Sequence, residues 1–88
     1  MYEPNVTEIN FLLVKPNRGL IGFCSFILDN AYYVGNVSIF SRLDGEGIRL
    51  VYPKKNNVDC FHPITRIAGE GITKIVQEAW DNFISQRN

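Results

Sequence analysis

The stretch Ile72-Thr73-Lys74-Ile75-Val76-Gln77-Glu78-Ala79-Trp80-Asp81-Asn82-Phe83-Ile84 decides the fold class, because the apolar spacing of the chain changes there. Ile72, Ile75, Val76, Ala79, Trp80, Phe83 and Ile84 recur at offsets of three and four, with polar residues between them. Such a stripe marks an amphipathic helix of about three to four turns, whose apolar side must cover another element. It reads as a core face in preference to a groove for a partner. Trp80 and Phe83 are its largest groups, each expected to cost about 3–5 kcal/mol if cut to Ala at a buried site. Glu70 near the expected start and Arg87 near the end both suit the helix macrodipole.

Upstream of that stripe the period is two. Residues 9–15 are mostly apolar and end at Pro16-Asn17-Arg18-Gly19, a turn signal in which Pro sets φ and Gly permits a positive φ. Residues 20–28 read as a partner strand with Ile21, Phe23, Ser25 and Ile27 on one face and Leu20, Gly22, Cys24, Phe26 and Leu28 on the other. Both faces are largely apolar, which places this strand inside a sheet. Asp29-Asn30 supplies the next turn, and residues 31–40 return with the aromatic and β-branched types that suit a pleated surface. A loop containing Asp44-Gly45-Glu46-Gly47 leads to a short strand at 48–52, stopped by Pro53, and residues 54–58 read as a polar loop. Strands followed by one helix give an α+β class with a mainly antiparallel sheet of four to five strands and one C-terminal amphipathic helix.

The 88 residues make a single domain, 1–88. A chain of this size buries only about 60% of its unfolded surface, so it is expected to draw stability from a partner copy. A hydrophobic fraction of 45%, with six Phe, four Tyr and one Trp, can supply a core. Nine basic residues balance nine acidic ones, so no whole-molecule field draws the chain to nucleic acid or an anionic membrane. No run approaches the roughly 20 apolar residues of a membrane span, and Met1-Tyr2-Glu3-Pro4 lacks the basic and apolar regions of a signal peptide. A cytoplasmic location is expected. Cys24 and Cys60 are too few for a disulfide framework and read as reduced thiols packed as small hydrophobes.

Catalytic chemistry has few candidates in a chain with one His, two Cys and scattered carboxylates, and no catalytic residue, metal ligand or cofactor is expected. Cys24, Asp59, Cys60 and His62 are enough zinc ligands in number but match no familiar spacing. His62 precedes Pro63, which pushes it out of the helical region, and it reads as a corner residue bonded to a backbone or carboxylate group. Gly69-Glu70-Gly71 matches no phosphate-binding fingerprint, and Glu70 would repel an anion. Charge is nevertheless uneven. Between residues 48 and 67 stand Arg49, Lys54, Lys55 and Arg66 against the single acid Asp59. Such a cluster can contact phosphates, with Tyr52 or Phe61 for base stacking, or it can be a solvated loop.

Leu28-Asp29 before an aromatic strand, Tyr52-Pro53-Lys54-Lys55, then Asp59-x-x-His62-Pro63-Ile64 and a C-terminal helix occur in an order that resembles the stage V sporulation protein G family of bacterial septation regulators. The resemblance spans residues 9–83. It implies a curved sheet in a homodimeric, non-enzymatic, cytoplasmic DNA- or RNA-binding regulator of gene expression or septation. It also implies that Lys54 and Lys55 are the family's basic pair and that His62-Pro63-Ile64 is its helix-start corner. Family members carry Arg and Lys where this chain has Gly69 and Gly71. With those cations missing, Arg66 and Lys74 are expected to substitute, and Arg49 to assist Lys54 and Lys55. Each lost phosphate contact should lower the salt slope of binding by about 0.7–0.9. The alternative is a protein-interaction module of the same fold that has lost nucleic-acid binding, which the neutral total and the acids Glu70, Glu78 and Asp81 favour.

Overall fold

The computed structural model describes residues 2–43 and 45–86. Strands β1 (Val6–Asn17), β2 (Leu20–Leu28), β3 (Tyr32–Ser41) and β4 (Ile48–Val51) form one antiparallel sheet in the order β1-β2-β3-β4. A second, two-stranded sheet pairs β5 (Lys54–Lys55) with β6 (Val58–Asp59), and helix α1 (Arg66–Ser85) follows. The chain is thus α+β, as the strand-then-helix order implies, and β2 lies inside the sheet, as its two apolar faces imply.

The core lies between one sheet face and α1. Cys24, Phe26 and Leu28 of β2, Val34, Val37 and Ile39 of β3, and Ile48 of β4 are buried against Ile72, Val76 and Trp80 of the helix. Trp80 meets Phe11 of β1 edge-on at 5.3 Å, and Phe83 lies 5.1 Å from the same ring, so three aromatics close one end of the layer. The expected weight of Trp80 and Phe83 is therefore seen as packing. Register shifts between Thr7 and Asn10, Leu13 and Asn17, and Cys24 and Phe26 bend the strands, because an extra residue on one strand kinks the ladder.

Hairpin geometry follows side-chain tolerance of the left-handed region. Asp29 and Asn30 have φ of 54° and 55° and are the central pair of the turn between Leu28 and Tyr32, which the Ala31 N–H closes by donating to the Leu28 carbonyl at 3.0 Å. The Asp29 carboxylate also accepts from the Tyr2 hydroxyl at 2.8 Å and from the Asn5 N–H at 2.9 Å, which ties the N-terminal segment down. The first turn is shorter than the Pro16-Asn17-Arg18-Gly19 signal suggests. β1 runs through Pro16 on the edge of the sheet, where a missing N–H is tolerated, and the turn is Arg18-Gly19 with φ of 54° and 90°.

Two further expectations need correction. Residues 54–58 are not a plain loop: Lys54 pairs with Asp59 and Lys55 with Val58 around Asn56-Asn57, whose φ values are 54° and 64°. Two-residue strands carry no readable alternation. The helix begins at Arg66, not near Ile72, because Thr65 caps it by accepting the Ala68 N–H at 3.1 Å. Glu70 is accordingly past the first turn, which contains no acid, while Arg87 lies outside the described residues.

Candidate nucleic-acid interface

Lys54 and Lys55 stand on β5, and both are exposed. Adjacent strand residues point to opposite faces, so the pair does not act as one point charge. Lys54 lies opposite Asp59 with Nζ 3.7 Å from Oδ1, whereas Lys55 has no ion pair with a described residue. The other carboxylate oxygen of Asp59 is 3.1 Å from His62 Nδ1. His62 is thus a corner residue bonded to a carboxylate, and it follows the Cys60 N–H bond to the Pro53 carbonyl at 2.9 Å that closes the hairpin base. Cys60 is exposed and Cys24 is buried, so only Cys24 behaves as a packed small hydrophobe. Burial pushes the Cys24 thiol up to about 12.

Arg66 opens α1 and donates from Nε to Glu70 Oε2 at 3.0 Å, with both side chains mostly exposed. Exposed helix pairs of this spacing contribute about 0.3–0.5 kcal/mol, so a phosphate can displace Glu70 at little cost. Lys74 is exposed two turns further along, above a groove of about 560 Å³ between the 42–47 loop and the helix. Gln77 anchors that groove: its Oε1 accepts the Ile48 N–H at 2.7 Å, and its Nε2 donates to Asp81 at 2.9 Å. Arg49 sits apart. Its guanidinium lies 4.9 Å from the Phe40 ring centroid, on the sheet face opposite buried Ile39 and Ile48. The hairpin and the start of α1 therefore follow one another through a single corner, while Arg49 faces elsewhere.

Tyr52 and Phe61, read as possible stacking residues, instead lean on each other at 5.3 Å and against the core. The Tyr52 hydroxyl is buried with no hydrogen-bond partner among the described residues, and burial, with the Cys24 thiol nearby, pushes it up to about 12. The two helix glycines differ. A Cβ on Gly71 would lie 2.7 Å from Pro4 Cγ, so Gly71 lets the N-terminal segment touch the helix; a Cβ on Gly69 would meet only Pro63 at 3.7 Å. The hairpin, the Asp59 bridge and the Gly71–Pro4 contact were not readable from residue order, since each depends on a fold-back.

No family model and no curated protein matches the chain. Among the described residues no helix is long and apolar enough to cross a membrane.

Proposed function

We propose that this protein is a non-enzymatic, cytoplasmic, homodimeric regulator of the septation-regulator type that binds DNA or RNA through the β5–β6 hairpin and the start of α1. Lys54, Lys55 and Arg66 contact phosphates, Lys74 extends the track along the helix, and Arg49 assists from the other sheet face. The observation that carries this reading is the exposed Lys54-Lys55 hairpin joined through the 60–65 corner to Arg66, with only weak exposed partners to displace. Exposed Val58, Ile64 and Ile67 around those cations support a second copy there, and two-fold symmetry would then place two basic tracks side by side.

Fluorescence anisotropy with short single-stranded RNA and duplex DNA at two salt concentrations tests the assignment. Lys54→Ala with Lys55→Ala should lower the salt slope by about 1.4–1.8, two contacts' worth. Unchanged binding by that variant removes the site. Glu70 on Arg66 and the neutral total favour the second reading, a protein-interaction module. A protein partner retained in a pull-down, with no nucleic acid bound at ~50 mM salt, would decide for it.

A further inference from the structure

Helix α1 covers one face of the sheet and leaves the other open. Across the open face, Asn10 of β1 pairs with Ser25 of β2; because Cys24 pairs with Val37 and Phe26 with Val34, Gly35 and Asn36 together fall opposite Ser25. Asn36 has a φ of 54°, and a bulge of this kind re-aims a side chain and recurs beside functional sites. The row Asn10, Ser25, Asn36 is flanked by Phe23 and Tyr33. Tyr33 is folded down along its own strand: a Cβ on Gly35 would lie 2.9 Å from Tyr33 Cε2 and 3.1 Å from its hydroxyl oxygen. Glycine at 35 makes room for the ring, and Tyr33 remains 72% exposed.

Asn10, Ser25, Asn36, Phe23 and Tyr33, together with the exposed Leu12 of β1, outline a recess of about 210 Å³. Its polar rim has capacity left over. Asn10 donates one N–H to the Glu8 carbonyl at 3.3 Å, and the Ser25 and Asn36 side chains make no hydrogen bond with a described residue. No residue of β2, β3 or β4 is acidic, and Arg49 adds a cation to the same face; Glu8 of β1 is the nearby acid.

We propose that this recess receives one unpaired nucleobase of a single-stranded nucleic acid. The base stacks on the Tyr33 ring beside Phe23, and its hydrogen-bonding edge faces Asn10, Ser25 and Asn36. Unpaired bases are recognised by an aromatic platform and side-chain amides, whereas a duplex keeps that edge occupied. An apolar surface pressed onto this face would strand three polar groups without partners. The assignment rests on the nucleic-acid reading above and adds the strand state and a base contact to it.

Anisotropy with a short single-stranded RNA and a duplex of the same length separates the two readings. Tyr33→Ser removes an exposed ring, and Gly35→Ala displaces that ring without touching Tyr33 itself. Each should weaken single-strand binding by roughly 5- to 150-fold, the range for one lost base stack. Both should leave duplex binding and the salt slope unchanged, since no phosphate contact is lost. Changing Lys54 and Lys55 to Ala should instead lower the slope on both ligands. Single-strand binding that survives both Tyr33→Ser and Gly35→Ala overturns the pocket and leaves the lysine site standing. A Tyr33→Ser protein whose mass halves by light scattering assigns the face to a second copy and overturns the pocket too. A wild-type chain that binds neither ligand overturns both readings.

Discussion

Tyr52 carries a buried hydroxyl with no hydrogen-bond partner among the described residues. An unpaired buried donor costs about 1–3 kcal/mol, so Tyr52→Phe should raise stability by about 1 kcal/mol, read as the urea midpoint. The same burial sets an alkaline limit. The Cys24 thiol and the Tyr52 phenol rise from ordinary values of 9.0 and 10.0 to about 12 in the folded chain. Folding therefore favours their protonated forms, and that stabilisation is complete below about pH 9 and is lost as pH climbs toward 12. Thermal melts across that window should show a falling Tm, with a shallower fall for Tyr52→Phe. The two glycines make a paired prediction. Gly69→Lys has room beside Pro63, removes a helix-propensity cost of about 0.5–1 kcal/mol and should steepen the salt slope of nucleic-acid binding by about 0.7–0.9. Gly71→Lys pushes a Cβ into Pro4 and should destabilise by about 1–3 kcal/mol, seen in the same denaturation. A cation can thus be restored at one position and not at the other.

Helix α1 was legible through its stripe and illegible at its start. Ile72, Val76 and Trp80 are buried as their spacing requires, yet the chain enters the helix at Arg66. Two features hid that boundary. Gly69 and Gly71 lower the helix propensity ahead of the stripe, and Thr65 is followed three residues later by Ala68, not by the Glu or Gln that completes a capping box. The cap works through Thr65 alone, so Thr65→Ala should cost about 1 kcal/mol and loosen the turn that carries Arg66. Amide hydrogen exchange at residues 66–69 would register the loosening; unchanged exchange would mean that packing against Pro63 holds this turn without the cap. The β5–β6 hairpin was hidden for a different reason. Lys54, Lys55, Val58 and Asp59 have no apolar period, and the asparagine pair between them is the one local signal that a fold-back occurs.

At the scale of the whole molecule the exposed apolar groups bear on assembly. Ile64 is 88% exposed, with Val58 and Ile67 also outside the core. Light scattering should give about twice the 10.1 kDa chain mass, and Ile64→Ser should shift that mass toward the single chain without unfolding it, because the residue contributes nothing to the monomer core. A wild-type mass of one chain would remove the dimer. Residue order by itself determined that strands precede a helix, that β2 is interior and that the helix stripe meets a sheet, since periods of two and of three to four are local properties of the chain. It also placed Lys54 and Lys55 directly after Pro53 and His62 directly before Pro63, but not the fold-back that brings Lys54 to Asp59. Which face of the sheet the helix covers was decided only in three dimensions, because both faces of β2 are apolar and alternation cannot rank them. Bulges then set register strand against strand, which is why Asn10, Ser25 and Asn36 share a row although they lie on three separate strands. Contacts that join residues distant along the chain depend on that register, and no local spacing encodes it.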